Sequence, residues 1–266
     1  MLTWNLGFNN QTTLSVSTSR QRILLSLVVE IRPSVVACQE ASSSLRLPRY
    51  EIVRGPGKLV TAFDGSVWSE TERTEFLTRG RGLGLLHKRT NRNVFIWNIH
   101  LESPLNGSSL ASRREFVRDR LRPYIEAKRI PGRAEVIVGD FNLPPYDEVL
   151  MARGGLWANR SLEIAHHHHR KATAPRVPLF NPTWALLGID RGICGTYYRS
   201  QQPDGEGPWH VIDQALISPS LAQGTRPHIR LVSRVSTTEL CKKGLGVPDA
   251  TIGSDHLPLT LSFEIT

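Results

Sequence analysis

The residues able to do chemistry stand at the ends of apolar runs. The clearest case is Glu135-Val136-Ile137-Val138-Gly139-Asp140-Phe141-Asn142. Its β-branched residues read as a buried strand, and Asp140 and Asn142 leave the end with period-two spacing, on one side of the chain. A carboxylate and an amide aimed together can hold a water, a phosphate oxygen or a hard cation. Taken alone, the same pair is an ordinary turn former. Other runs carry matching groups: Asn5 ends the first, Glu40 the run at 34–40, and His100 the run at 94–101. Asp213 lies within 209–217, and Asp255 and His256 precede the closing run. Gathered at one rim, so many carboxylates repel one another unless a cation joins them.

That inventory suits hydrolysis of a phosphate ester. Glu40 and the other carboxylates supply hard oxygens for Mg²⁺, an ion that keeps several waters and stabilises charge on the phosphoryl group or leaving oxygen. His256 can accept a proton from the attacking water if Asp213 holds its ring in the right tautomer. His100 and Asn142 can donate hydrogen bonds to the phosphate oxygens as charge builds.

The elements that must place these groups alternate. A short strand at 2–5 is followed by a loop at 8–18, then by a helix from about Ser19, with Ile23, Leu27 and Ile31 four residues apart and Arg32-Pro33 closing it. The strand at 34–40 completes a strand–helix–strand unit, the mark of α/β layering. Strands are also expected at 50–54 and 82–87, with the polar stretch 65–81 mostly loop. After 94–101 and an Asn106-Gly107 turn, Ser108 or Ser109 can cap a helix toward Lys128, kinked or split at Pro123. Pro144-Pro145-Tyr146-Asp147 begins a further short helix. Residues 155–210 read as the least regular part, and strands return at 209–217, 229–235 and 257–265.

With 266 residues, 39% hydrophobic and 21% charged, no internal repeat and no composition break, one domain over 1–266 is the simplest organisation. A net charge of +9 attracts polyanions, with nucleic acid first and an anionic membrane surface second. Cys38, Cys194 and Cys241 have neither disulfide-framework nor zinc-type spacing, and Cys38 reads as a small core residue. The opening Met1-Leu2-Thr3-Trp4-Asn5 reads as strand rather than signal peptide, and no apolar run reaches membrane-spanning length. A cytoplasmic protein without a membrane anchor is the expectation, and no obligate protein partner is inferred.

Trp4-Asn5-Leu6-Gly7, Gln39-Glu40, His100-Leu101-Glu102-Ser103, Gly139-Asp140-Phe141-Asn142, Ile212-Asp213-Gln214 and Ser254-Asp255-His256 occur in order along nearly the whole chain. In this the chain resembles the endonuclease/exonuclease/phosphatase superfamily of DNase-like metal-dependent phosphoesterases. The resemblance implies a four-layer α/β/β/α sandwich, two packed mixed β-sheets flanked by helices, with the site at one rim. It implies Glu40 as principal Mg²⁺ ligand, with Asn5 beside it and Asp255 as a further contact, and Mn²⁺ as a substitute ion. It also implies that Asp140 and Asn142 position nucleophile and phosphate, and that His256 with Asp213 forms the catalytic dyad. The His-Leu-Glu-Ser setting of His100 is more like the DNase and tyrosyl-phosphodiesterase branches than the apurinic-site branch.

The expected activity is therefore Mg²⁺-dependent phosphodiester hydrolysis with nucleic acid as substrate. The alternatives are a phosphatase or phosphodiesterase for a small or lipid phosphoester, and a catalytically silent binding member. Arg113, Arg114, Arg118, Arg120 and Arg122 either grip a nucleic-acid backbone or form a solvated helix face. Arg81, Trp184 and Tyr197 are the candidates for substrate binding. The run His166–169 can take up Ni²⁺ or Zn²⁺ adventitiously, but adjacent side chains in a loop do not converge on one ion.

Overall fold

The computed structural model describes residues 1–8, 13–104, 107–171, 176–188, 193–200, 207–222 and 225–265. Its first half runs β1 (Leu2–Asn5), α1 (Leu14–Ile31), β2 (Val35–Gln39), β3 (Tyr50–Arg54), β4 (Val60–Asp64), β5 (Trp68–Phe76), β6 (Gly80–His87) and β7 (Arg92–His100). Then come α2 (Leu110–Phe116), a π-helical turn (Val117–Leu121), α3 (Arg122–Lys128), β8 (Ala134–Asp140), α4 (Glu148–Met151), β9 (Ala158–Asn159), α5 (Leu162–Lys171) and β10 (Leu179–Phe180). The last part is β11 (Tyr197–Tyr198), β12 (Trp209–His210), β13 (Asp213–Ile217), β14 (His228–Leu231), β15 (Arg234–Val235), β16 (Thr238–Glu239) and β17 (Leu259–Ser262).

Two mixed sheets form an α/β sandwich. One has the order β14-β17-β1-β2-β4-β3, the other β5-β6-β7-β8-β13-β10-β9. Strand parity explains how they pack. Val35 and Ala37 of β2, Val94 and Ile96 of β7, Val136 and Val138 of β8, and Ala215 and Ile217 of β13 all face the seam between the sheets. The alternate residues face outward. Trp4, Val36 and Cys38 meet Ile23, Leu24, Leu27 and Val28 of α1. Trp97, Ile99 and Ile137 meet Val117, Leu121 and Ile125 of the second helical layer. Burial in this outer layer pushes the Cys38 thiol up to about 12, so it packs as an apolar residue.

The structure moves several sequence expectations. The helix starts at Leu14 rather than Ser19, with the hydroxyl of Thr13 accepting from the Val16 N–H at 3.4 Å. The polar stretch expected as loop holds the nine-residue strand β5. It is the edge of its sheet, where charged residues belong because one flank is solvated. The helix before β8 is divided where Pro123 lies, and the Arg122 N–H reaches back to the Val117 carbonyl as the backbone widens to fit the ring. The histidines 166–169 lie on α5 and not in a loop. The run expected at 209–217 is broken, β12 pairing with β11 and β13 with β8. Asn106, expected in a turn, lies outside the described residues.

Candidate active site

The same parity that buries the seam carries polar groups to its upper end. In β7 the seam-facing row reads Val94, Ile96, Asn98, His100; in β8 it reads Ala134, Val136, Val138, Asp140. β7 and β8 run parallel with His100 beside Asp140, and β13 runs antiparallel with Asp213 opposite Asp140. In the facing sheet β1 and β2 run parallel with Asn5 beside Gln39, so Asn5 ends one seam-facing row and Glu40 follows the other.

One level below the rim, apolar packing gives way to a buried amide network. The Asn98 side-chain N–H₂ donates to the Cys38 carbonyl at 3.1 Å and the Val60 carbonyl at 3.0 Å in the opposite sheet. The Gln39 amide donates to Asn98 Oδ1 at 2.6 Å. These bonds tie the sheets together directly beneath the polar groups of the rim. Glu40 has φ 45, a left-handed conformation rare for a side chain of its kind. Ala41 N–H bonding to Lys58 O at 2.8 Å, and Phe8 N–H bonding to Glu40 O at 3.0 Å, hold it there.

At the rim, Asn5 Nδ2 donates to Asp140 Oδ2 at 2.9 Å, and the Asn142 backbone N–H donates to Asp140 Oδ1 at 2.9 Å. Asn142 has φ 48, and its side chain donates to Leu101 O at 3.0 Å. His256 Nδ1 meets Asp213 Oδ2 at 2.8 Å, while His256 Nε2 lies 3.9 Å from Asp140 Oδ2. His100 Nε2 lies 3.6 Å from Glu40 and 3.8 Å from Asp140. Asp140, Asp213 and His256 are nearly fully buried, whereas Asp255 is exposed.

Burial and the neighbouring Asp213 carboxylate push the Asp140 carboxyl up to about 7. Burial alone would lower His256, but the Asp213 and Asp140 carboxylates outweigh it and raise the imidazole to about 10. His100 is lowered, chiefly by burial, against the pull of Glu40.

Hard oxygens of the kind a divalent cation takes line the cleft. Glu40 and Asp255 offer carboxylates, and Asn5 an amide oxygen that accepts only the Gly7 N–H, at 3.0 Å, among the bonds described. Asp140, Asp213 and His256 also bring ligand atoms within 4.8 Å of one another. His256 and Asp213 are hydrogen-bonded to each other, so that trio reads as an acid–base group rather than an ion site.

These groups open into a cleft of about 340 Å³. Asn5, Glu40, His100, Asp140, Asn142, Asp255 and His256 line it, with Asp213 behind His256. Tyr197 lines it too, its ring 4.7 Å from that of His256. Two other residues expected at the substrate are not among the lining. Arg81 is buried, its guanidinium donating to Arg54 O and Glu75. Trp184 stands behind Tyr146, with ring centroids 6.5 Å apart. The arginines of the α2–α3 region divide: Arg113 and Arg114 line the cleft, Arg114 while paired with buried Asp147 at 3.1 Å, whereas Arg118 pairs with its neighbour Asp119 and Arg122 donates to Gly154 O.

Sequence reading missed Tyr146, Arg199 and Arg20. Tyr146 and Arg199 line the cleft. Arg20 donates to Leu6 O at 2.7 Å and Gly253 O at 2.6 Å, joining the segment that follows Asn5 to the one that precedes Asp255. Arg20 and Arg22 both stand on α1, and nothing in the sequence marks the first for that role.

No protein-family model matches the chain, and no curated protein does. Solved structures do. Danio rerio TDP2 complexed with a single-strand DNA product aligns at TM-score 0.64 and 18% identity, covering 99% of this chain and 98% of that one. A mannosyl-6-phosphatase from Bacteroides thetaiotaomicron aligns at TM-score 0.62 and 14% identity, covering 99% and 98%. The human Nocturnin catalytic domain, with a bound sulfate anion, aligns at TM-score 0.57 and 14% identity, covering 99% and 93%. At such identities the likeness is one of architecture. This chain has the fold of the endonuclease/exonuclease/phosphatase superfamily.

Proposed function

We propose that the chain is a single-domain, divalent-metal-dependent phosphodiester hydrolase with nucleic acid as its substrate. The observation that carries this reading is the His256 Nδ1 bond to Asp213 at 2.8 Å, with Nε2 left on the Asp140 side of a cleft lined by Glu40, Asn5 and Asp255. Those three residues would hold Mg²⁺, or Mn²⁺ in its place, and the ion supplies charge stabilisation for the phosphoryl group.

The protein's own residues divide the remaining work. Asp140, raised to about 7, has the proton affinity of a general base at neutral pH and accepts the proton of the attacking water. Asn5 and the Asn142 N–H orient its carboxylate. His256, kept as imidazolium by Asp213, donates to a phosphoryl oxygen as charge develops. This exchanges the roles that the sequence alone suggested, because the Asp213 and Asp140 carboxylates favour the charged imidazole. His100 and the Asn142 amide donate to the remaining phosphoryl oxygens.

Nucleic acid is favoured by the +9 net charge and by Arg113, Arg114 and Arg199 in the cleft lining, beside the exposed Tyr146 ring. The structural neighbour with a bound single-strand DNA product supports the same class. The test is a substrate panel with Mg²⁺: single- and double-stranded DNA, RNA, 5′-tyrosyl DNA, inositol phosphates, sugar phosphates and sphingomyelin. Expected is nucleic-acid hydrolysis that falls roughly a hundredfold or more in Glu40→Gln and His256→Ala. Turnover of small phosphomonoesters alone would overturn the substrate assignment, and equal rates for wild type and both variants would overturn catalysis.

A further inference from the structure

β13 carries Asp213 at its first residue, yet only one flank of the strand is fully paired. Against β8 it is paired over all of Asp213–Ile217. Against β10 the register has a single partner pair, Phe180 with Ile217. Strand geometry sends the N–H groups of alternate residues to the same flank, so Asp213 and Ala215 present donors where the neighbouring strand has ended. A buried N–H without an acceptor is costly.

Threonine hydroxyls finish that flank. Thr183 Oγ1 accepts from the Ala215 N–H at 3.1 Å. Thr196 Oγ1 accepts from both the Asp213 and the Ile212 N–H, each at 3.1 Å. Thr196 is fully buried, and its backbone is held at both polar groups: its N–H donates to His210 O at 2.8 Å, and its carbonyl accepts from the Leu257 N–H at 2.7 Å. Leu257 follows His256, and Tyr197, next to Thr196, lies with its ring 4.7 Å from the His256 ring. One residue therefore binds the backbone at Asp213 and the backbone beside His256, the two halves of the dyad.

We infer that Thr196 is a positioning residue for the Asp213–His256 pair: its hydroxyl fixes the Asp213 main chain, so that the carboxylate meets His256 Nδ1. The inference rests on the catalytic reading above for its effect on rate, and on geometry alone for its effect on the dyad. The hydroxyl accepts from the two N–H groups and itself donates to the His210 carbonyl at 3.4 Å. Valine has nearly the same shape but would set a methyl group against two buried donors, whereas serine keeps the oxygen.

The test uses the full chain and the variants Thr196→Val, Thr196→Ser and Asp213→Asn. The first measurement needs no substrate. A proton held between His256 Nδ1 and Asp213 gives a low-field NMR resonance, assigned by its loss in Asp213→Asn. Expected is its loss or displacement in Thr196→Val and its retention in Thr196→Ser; a wild-type resonance in Thr196→Val would overturn the inference. The second measurement is kinetic: Thr196→Val lowers kcat roughly ten- to a hundredfold with KM little changed. In the Asp213→Asn background the same substitution adds almost nothing, because it acts through Asp213. An equal loss in both backgrounds overturns the inference as well. If wild type is no faster than Glu40→Gln, the catalytic reading falls, and the resonance still decides the role of Thr196.

Discussion

Gly139→Ala should damage this protein more than any other removal of a glycine within the central strands. Gly139 has φ +136, outside the conformations that L side chains adopt readily, and it precedes Asp140. A Cβ there would lie 2.1 Å from the Ile99 carbonyl oxygen of β7 and 3.0 Å from Gln39 Nε2. An ordinary C···O contact is about 3.3 Å, so β7 and β8 would have to part by roughly 1 Å. Backbone strain costs about 1–3 kcal/mol and forcing apart a packed core a similar amount, giving roughly 2–6 kcal/mol. Against a typical stability of about 5–15 kcal/mol the variant still folds in most of that range. The rate suffers further, because parting these strands separates His100 from Asp140, and a misplacement of about 1 Å costs on the order of a hundredfold. Urea unfolding and kcat/KM on the substrate found by the panel measure both effects. A variant within about 0.5 kcal/mol and twofold of wild type would refute the reasoning.

Other perturbations separate the forces at the site. Asn98→Leu leaves the Cys38 and Val60 carbonyls and one Gln39 bond without their partner between the sheets, and should lower the urea-unfolding free energy by about 3 kcal/mol; an unchanged midpoint would refute an energetic role for this network. Asp140 and His256 both bind protons more tightly folded than unfolded, so their contribution to stability should fall as pH rises. That fall runs from the ordinary carboxylate value to about 7 for Asp140, and from the ordinary imidazole value to about 10 for His256. Thermal melts in chelator should follow this trend, and His256→Gln should flatten its upper limb. A divalent cation in the proposed site should draw the nearby Asp140 carboxyl back down, so calorimetry with Mg²⁺ in buffers of differing ionisation enthalpy should record proton release and an affinity that grows with pH. Arg199→Ala should raise KM for single-stranded DNA severalfold and reduce the salt dependence of binding, while leaving kcat nearly constant. An unaltered salt slope would remove Arg199 from the substrate path.

Much of this arrangement is legible in the sequence because strand parity is a short-range property. Once Val136-Ile137-Val138 is read as a strand, the side on which Asp140 leaves follows from alternation, and the same step places Asn5, His100 and Asp213. The motif order then says which strands share a rim. Where alternation is weak the reading fails. Trp68–Phe76 is a strand made mostly of Glu, Thr, Ser and Arg, and its polarity reflects an edge position that only the sheet order reveals. Arg81 fails for a different reason. A basic residue near a predicted strand reads as a phosphate contact, but packing turns its guanidinium to Arg54 O and Glu75. Arg113 and Arg118 stand on the same helical stretch, and only the facing of that stretch decides that one lines the cleft and the other pairs with Asp119.

The division between what alternation fixes and what packing decides runs through the site itself. The charged residues of the rim, Glu40, Asp140, Asp213 and His256, are set by strands or tied to them by short bonds. The groups that would meet the rest of a substrate, Tyr146, Tyr197, Arg199 and Arg113, come from turns, short strands and the outer helix. A strand end cannot move without breaking a ladder, whereas those surrounding segments are free to vary in length. Chemistry and substrate choice are therefore separable in this fold. A change at Arg199 or Tyr146 should redirect which phosphoester binds while the ionisation of Asp140 and His256 stays as it is. A loss of both together would mean that the cleft wall and the charged rim are mechanically one unit.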